Sequence, residues 1–277
     1  IPFGFKGTDD VLVNLQKHFR VKSLVELLDV LPVDMYGCFN NCRYGVYPEY
    51  VGGPPKVLYP ESYPEQTWDT IYGYKRHWGA GGGGRTDEVL TFPLAGASTV
   101  TEADKYEWPR PDWFDYRSLP AQCESIGDYA RIFHLGGLGY VANLIGFERL
   151  LTDMLLNPAF IEACFEYLTR FYVEFLDQVL KEANRGIDMI CVQDDFGTQN
   201  GPLISMDLYR QFYKPYHKRI FEVAHQHHVK VMMHSCGAVF DFIPEFIAIG
   251  ADILDPLQTN AFGMDPARLK KEFGSSL

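Results

Sequence analysis

The sequence predicts an α/β fold, a (β/α)8 barrel of the TIM type, on three observations. From residue 130 onward, short apolar runs alternate with stretches of helical period, which is typical of parallel strands joined by helices. Between about residues 40 and 115 this alternation is absent, and the chain is dense in Tyr, Trp, Gly and Pro. Polar residues follow three successive predicted strands, as in a barrel that gathers its functional groups at one mouth. Roughly five strands can be recognised, so we expect a barrel that is incomplete at its C-terminal end.

The composition is that of a folded globular protein. The length allows one large domain or two small ones, and we expect residues 1–277 to form a single barrel domain. Hydrophobic residues make up 47% of the chain, which has a formal net charge of -11. This acidic balance argues against nucleic acid as a partner, because nucleic-acid-binding proteins carry basic patches. No apolar run in the sequence is long enough to span a bilayer, so we expect no membrane partner. The six cysteines are scattered and do not resemble a disulfide framework, which favours a cytoplasmic location.

The first part of the chain predicts a few helical turns and then an insertion. Residues 8–31 have helical periodicity, and residues 33–38 predict a short strand. Residues 40–115 predict a hairpin-rich insertion, because runs such as 88–92 alternate apolar and polar side chains. The four glycines at 81–84 predict a hairpin tip, since no Lys-Ser/Thr pair follows them as in a phosphate-binding loop.

The regular part of the chain begins with a predicted strand over residues 131–135, and a helical stretch starts at Val141. Asn157 and Pro158 predict the start of a long helix, with Asn as the N-cap and Pro in the first turn. We expect this amphipathic helix to end at Gly186.

Three more strands are predicted from short apolar runs, over residues 187–192, 229–234 and 251–254. Ser205 should cap the helix that follows the first of them, and Pro215 should kink or interrupt that helix. Asp265 and Pro266 predict the start of the last helix.

His234 and Cys236, at the end of the second of these strands, are predicted metal ligands. Residues two apart in an extended chain point the same way, and imidazole nitrogen with thiolate sulfur suits Zn²⁺. The alternative is a buried strand with a hydrogen-bonded His and an inert Cys. Two ligands rarely hold zinc firmly, so we expect weak binding or none unless Asp195 supplies an oxygen. Cys191 lies deeper in its strand and is a poor substitute.

The other strand ends supply the remaining candidates. The residues predicted to be catalytic are Gln193, Asp194 and Asp195. The residues predicted to bind substrate are Asp255 and Gln258. Because parallel strands in register end at the same rim, we expect at least one of the catalytic candidates to share a cavity with His234. The alternative is that one aspartate caps a helix and the other lies in solvent.

Five motifs in this order resemble the uroporphyrinogen decarboxylase superfamily. They occupy residues 193–199, 202–205, 214–215, 234–237 and 250–258. Within the superfamily they are most similar to the branch of cobalamin-dependent methyltransferases that act on methylcobalamin and thiols. The resemblance is strongest from Phe147 to Phe273 and implies a (β/α)8 barrel, which agrees with the periodicity.

The resemblance implies a zinc-assisted transfer of a methyl group from a corrinoid to a small-molecule thiol or similar acceptor. The corrinoid is held by a separate partner protein. In methyltransferase members a His-x-Cys pair and a distant Cys bind zinc, so His234 and Cys236 match two ligands. The third ligand should lie near a last strand that this chain lacks, and we therefore expect an incomplete zinc site.

Two alternatives remain open. The first is a metal-free carboxy-lyase of the decarboxylase type, which would use Asp194 or Asp195 to hold its substrate. The decarboxylases carry an Arg-rich N-terminal motif, and residues 1–7 contain no arginine, which counts against uroporphyrinogen as substrate unless trimming of the sequence has removed the motif. The second alternative is a non-catalytic ligand-binding barrel.

Overall fold

The computed structural model describes residues 9–31, 33–36, 46–53, 67–81 and 84–277. The helices in these residues are α1 Asp9–Phe19, α2 Leu24–Val30, α3 Val100–Asp104, α4 Leu119–Ser125, α5 Val141–Ile145, α6 Phe147–Leu156, α7 Pro158–Glu182, α8 Met206–Leu208, α9 Lys214–Gln226, α10 Ile243–Ala248 and α11 Pro266–Phe273. The strands are β1 Met35–Tyr36, β2 Glu49–Tyr50, β3 Thr67–Asp69, β4 Lys75–Gly81, β5 Gly84–Val89, β6 Phe114–Asp115, β7 Ala130–Gly136, β8 Met189–Gln193, β9 Lys230–His234 and β10 Ile253–Asp255.

Five of the strands form one parallel sheet in the order β1-β7-β8-β9-β10. From β7 to β10 each strand is connected to the next through helices, so every connection is a βαβ crossover. This arrangement confirms the mixed α/β class and is compatible with a (β/α)8 barrel. Within the described residues the five strands form an open row with β1 and β10 at its edges, and they do not make a complete barrel.

The two faces of this sheet pack against different surroundings. Alternate residues of a strand point to opposite faces, while residues paired across parallel strands point to the same face. The helix face belongs to the main core and includes the paired residues Phe133, Ile190 and Val231. The opposite face, here called the inner face, carries a small separate cluster of Ile132, Met189, Cys191, Met232 and Ile253. In a (β/α)8 barrel the inner face is turned toward the barrel axis.

The predicted hairpin-rich insertion forms two small antiparallel sheets in the described residues. Strands β3, β4 and β5 make one sheet, and β2 pairs with β6 in the other. Gly81 is paired with Gly84 at the end of the β4–β5 hairpin, and both belong to the glycine run for which a hairpin tip is predicted. Residues 37–45, 54–66 and 82–83 of the predicted strand and insertion lie outside the described residues.

Buried tyrosines attach the insertion to the rest of the chain. The Tyr106 hydroxyl donates to the carbonyl of Tyr72 at 2.6 Å, within the insertion. The Tyr72 hydroxyl lies 3.3 Å from the hydroxyl of Tyr172 in α7. The Asn143 side chain in α5 donates to the Tyr74 hydroxyl at 3.1 Å. These hydrogen bonds give the polar ends of the buried tyrosines partners, which burial requires.

Two helix starts differ from the prediction. The predicted helix over residues 8–31 is interrupted at Arg20, whose φ is 59°, and Ser23 then caps α2 by accepting from the Glu26 amide. Asn157 precedes α7 as predicted, but its side chain makes no cap and instead donates to the Ser98 carbonyl at 2.7 Å. The Ser98 carbonyl lies 59 residues away in the chain, so local sequence could not indicate this contact.

Pro215 distorts its helix as predicted but does not end it. Ser205 caps α8 by accepting from the Leu208 amide, and Tyr209–Tyr213 then form a π-helical segment that leads into α9. Proline lacks the N–H of a helical residue and its ring clashes with the carbonyl four residues earlier, a clash that the wider π turn relieves. His217 follows on the same helix and is completely buried.

The longest helix in the described residues is α7, with 25 residues. One face of it is buried in the main core, and α9 packs beside it, so the helix is amphipathic as predicted. In the described part of the chain, none of the helices has both the length and the apolar composition that crossing a membrane requires.

Candidate metal centre

The ends of β8, β9 and β10 bring three of the predicted residues into one row. Gln193 pairs with His234, and His234 pairs with Asp255, so the three side chains share one face of the sheet. The row lies two positions beyond Cys191 and Met232, which places it on the inner face. His234 is only 6% exposed, whereas Gln193 and Asp255 on either side of it are partly exposed.

Asp255 fixes the orientation of the His234 ring. The distance from His234 Nδ1 to Asp255 Oδ2 is 2.6 Å. A carboxylate only accepts hydrogen bonds, so in the neutral imidazole Nδ1 carries the proton and Nε2 keeps its lone pair. Metal-binding histidines use this arrangement, in which a carboxylate holds the ring nitrogen that does not bind the ion.

Two further donor atoms lie on the Nε2 side of His234. Cys236 Sγ is 3.5 Å from Nε2, and Asp195 Oδ1 is 3.9 Å from it. One nitrogen, one sulfur and one carboxylate oxygen all lie within 4.8 Å of one another. His234 is buried, Cys236 is partly buried and Asp195 is exposed, so the group opens to solvent on the Asp195 side.

The backbone after β9 holds Cys236 beside His234. The Cys236 amide donates to Asp195 Oδ1 at 2.8 Å. Gly237 follows with a φ of +86°, a conformation that glycine adopts without strain. A Cβ atom at Gly237 would lie 2.4 Å from the carbonyl carbon and oxygen of Gly197, so the two loops touch through their backbones. The positive φ and the close packing are two separate reasons for glycine at this position.

Asp194 points away from its neighbour Asp195, toward the helices. Its carboxylate accepts from the amides of Leu138 at 2.9 Å and Gly139 at 2.6 Å, and lies 2.8 Å from His217 Nε2. Asp194 is only 5% exposed. Of the three residues predicted to be catalytic, it is the one on the helix face, and its contacts tie the turn after β7 to α9.

Sequence reasoning did not identify His217. The available signal is spacing, because Tyr209, Tyr213 and His217 recur every four residues along one helix face. Burial, and then the charge of Asp194, raises the pKa of the Tyr213 hydroxyl well above its ordinary value. A buried tyrosine whose hydroxyl keeps its proton therefore lies near the Asp194 carboxylate.

Gln258 contacts the Cys236 loop directly. Its Oε1 atom accepts from the Gly237 amide at 2.9 Å, and its Nε2 atom donates to Gln199 Oε1 at 3.1 Å. Asp255 and Gln258 are the residues predicted to bind substrate. In the structure Asp255 contacts His234, and Gln258 contacts the backbone of Gly237, next to Cys236.

Of the three residues predicted to be catalytic, Asp195 lies beside His234, with its Oδ1 atom 3.9 Å from His234 Nε2. With Asp195 the described residues bring together three donor atoms, the number of protein ligands that catalytic zinc sites commonly use. Nitrogen, sulfur and oxygen donors fit zinc better than magnesium or calcium, which prefer oxygen alone. The donor set therefore fits the metal that the sequence predicts.

Comparison with known families gives one match. Residues 133–268 match the family model of uroporphyrinogen decarboxylase (URO-D). The matched segment contains β8, β9 and β10 and all of the residues at their ends that are described above. No curated protein matches the chain. The family match supports the superfamily that the sequence motifs indicate, whose members are enzymes.

Proposed function

We propose that this chain is a zinc-dependent methyltransferase of the uroporphyrinogen decarboxylase superfamily, which moves a methyl group from a corrinoid to a small-molecule thiol. The observation that carries the proposal is the group of Asp195, His234 and Cys236, whose donor atoms lie within 4.8 Å of one another. The donor types and their number support a catalytic zinc site with an open position.

The charges at this group also favour a cation. Asp195 and Asp255 bring two carboxylates to His234, and Cys236 adds a thiol that becomes negative as a ligand. A thiolate nucleophile without a metal would lie beside the Asp195 carboxylate and be repelled by it, which argues against a Cys-His-Asp hydrolase. A bound zinc ion would instead favour the nucleophilic thiolate form of a thiol substrate.

The roles of the chain's own residues follow from their contacts. Asp255 holds the proton on Nδ1 of His234 and so keeps Nε2 available as a ligand. Asp195 accepts from the Cys236 amide while its carboxylate borders the opening to solvent, where a substrate can enter. Gln193, beside His234 in the row, lines the same face. The corrinoid, carried by a partner protein, supplies the methyl chemistry.

Metal analysis of the intact protein tests the proposal. After loading with zinc and dialysis, the protein is expected to retain about one zinc ion per chain. The zinc-loaded protein should also demethylate free methylcobalamin in the presence of a small thiol, followed by the absorbance of the cobalamin. A protein that retains no zinc under these conditions would contradict the proposal.

The family match itself supports a second candidate, a metal-free carboxy-lyase, because the matching model is that of a decarboxylase. Zinc content separates the two candidates. Carbon dioxide release from a porphyrinogen carboxylate by zinc-free protein would favour the lyase.

Replacing Asp255 with alanine is expected to weaken zinc binding by about 10–100-fold, because the carboxylate no longer orients the His234 ring. Asp255→Asn should have a smaller effect, since its amide oxygen can still accept from Nδ1. The dissociation constant is measured by competition with a chromogenic chelator. Asp241→Ala removes an exposed carboxylate after β9 and is the matched control, with unchanged affinity. Equal affinities for Asp255→Ala and the control would refute the orienting role.

A further inference from the structure

A line of side-chain amides links the loops that follow β8, β9 and β10. The Gly237 amide donates to Gln258 Oε1 at 2.9 Å, and Gln258 Nε2 donates to Gln199 Oε1 at 3.1 Å. Gln199 Nε2 in turn donates to the main-chain carbonyl of Asn260. We call Gln199 and Gln258 the amide relay. It begins and ends on backbone groups and connects three separate loops.

The direction of the relay is fixed by its ends. A backbone amide only donates, so the oxygen of Gln258 must face Gly237 and its nitrogen must face Gln199. Gln199 then has to present its oxygen to Gln258 and its nitrogen to the Asn260 carbonyl. Turning either side-chain amide over would place two donors or two acceptors against each other. Each glutamine therefore has one favoured orientation, which the other reinforces.

The relay acts on the peptide group that follows the Cys236 Cα atom. A peptide group is planar, so a hydrogen bond to the Gly237 amide fixes the plane that also contains the Cys236 carbonyl. Asp195 fixes the preceding plane through the Cys236 amide. The Cα atom of Cys236 is thus held between two peptide planes, each bound by a side chain from another loop. The direction of the Cα–Cβ bond, and with it the region open to Sγ, is set by this pair.

Backbone contacts alone hold the same loops less directly. The Ala238 amide donates to the Thr198 carbonyl at 2.8 Å, and the Phe262 amide donates to the Gln199 carbonyl at 3.0 Å. Neither of these hydrogen bonds involves the peptide groups beside Cys236. The amide relay therefore connects the loops after β8 and β10 to the peptide plane on the C-terminal side of the thiol.

We propose that Gln258 and Gln199 are positioning residues that set the place of Cys236 Sγ relative to His234 Nε2. This inference rests on the proposed function, because the consequence of the placement is the strength and geometry of metal binding. It also replaces the substrate-binding role predicted for Gln258. Gln258 acts directly on the Cys236 loop, and Gln199 acts through Gln258.

Three variants of the intact protein separate the two links of the relay. Gln258→Met keeps the length of the side chain and removes both hydrogen bonds. Gln258→Glu keeps an acceptor for the Gly237 amide and loses the donor to Gln199. Gln199→Met keeps the bond to Gly237 and removes the anchor of Gln258. Asn200→Ala, an exposed position on the same loop as Gln199, is the matched control.

The probes are zinc and cobalt ions without substrate. Gln258→Met is expected to raise the zinc dissociation constant by about 10-fold or more, as for loss of other partners that orient metal ligands. Gln258→Glu and Gln199→Met should lie between this variant and the wild type, and Asn200→Ala should match the wild type. The visible absorption bands of the cobalt-loaded Gln258→Met protein should shift, since they report ligand geometry rather than stability. Unchanged affinity and unchanged bands in Gln258→Met would overturn the proposal.

A metal-free measurement keeps the inference separate from the proposed function. The alkylation rate of Cys236 in zinc-free protein, followed by mass spectrometry of its peptide, should change about threefold or more in Gln258→Met, as loss of one hydrogen bond implies. If the wild type binds no zinc but this rate changes, the proposed function fails and the positioning role stands. If the wild type binds zinc and neither affinity nor rate changes, the positioning role fails. If Gln258→Met does not fold, the zinc dissociation constants and Cys236 alkylation rates of Gln258→Glu and Gln199→Met test the positioning role instead.

Discussion

Cys236→Ala is expected to abolish stable zinc binding and, with it, thiol methylation. The substitution leaves His234 Nε2 and Asp195 Oδ1 as the two nearby donors, and two ligands rarely hold zinc firmly. Because Cys236 is partly exposed and its amide keeps the bond to Asp195, the fold should change little. Loss of metal with retained stability is therefore the expected combination.

Equilibrium dialysis with zinc and absorption spectroscopy with cobalt measure this effect. In the wild type a charge-transfer band from thiolate to cobalt should appear, and in Cys236→Ala it should be absent. Cys123→Ala removes a buried thiol in α4 and serves as the control, because it should keep both the band and the bound zinc. Zinc retained by Cys236→Ala, or methyl transfer that survives the substitution, would favour the metal-free lyase.

Asp194→Ala is expected to lower the free energy of unfolding by about 3–5 kcal/mol, because several buried polar groups lose their partner at a cost of about 1–3 kcal/mol each. The substitution removes the acceptor of two backbone amides and leaves His217 buried without its carboxylate. Among the described residues, Nδ1 of His217 has no hydrogen-bond partner, so the contact with Asp194 is the principal polar contact of the ring.

Urea denaturation of a double-mutant cycle tests this prediction. His217 stacks on Phe221 with an angle of 6° between the rings, so phenylalanine suits the position. Asp194→Ala combined with His217→Phe should be about 1–3 kcal/mol more stable than the sum of the single effects predicts. Asp195→Ala is the matched control, because it should weaken zinc binding but change stability by less than about 1 kcal/mol. If the free energy of unfolding of Asp194→Ala lies within about 1 kcal/mol of the wild-type value, the Asp194 carboxylate does not stabilise the fold.

The strands and helices from residue 130 onward could be predicted because their apolar residues recur with the periods of strands and helices. Apolar runs located β7 to β10 to within a few residues, and Asp265 caps α11 as its sequence signal indicates. For the insertion, the sequence predicted a hairpin-rich region but not which strands pair. Local patterns do not specify the pairing of such short strands. Asn157 shows why the contacts of a single side chain are hard to predict. Its side chain donates to the distant Ser98 carbonyl and does not cap its own helix.

The proximity of His234 and Cys236 could be predicted from the sequence, but the contacts that hold these two side chains could not. The His-x-Cys spacing places both side chains together because a strand alternates its faces. The contact between Asp255 and His234 depends on the register of two strands, which the sequence does not encode locally. Asp194 and Asp195 could not be separated in advance, because both follow the strand and either could have faced the inner side.

Asp194 and Asp195 point in opposite directions, and this requires β8 and the two aspartates after it to keep a fixed number of residues. Along a strand, insertion or deletion of one residue exchanges the faces of all residues that follow. A single inserted residue in β8 would move Asp194 toward His234 and Asp195 toward α9, so that both aspartates lose their partners together. Recombination between related sequences should therefore succeed when Met189–Gln193 and the two aspartates are inherited as one block, with crossovers in the surface turns before and after it.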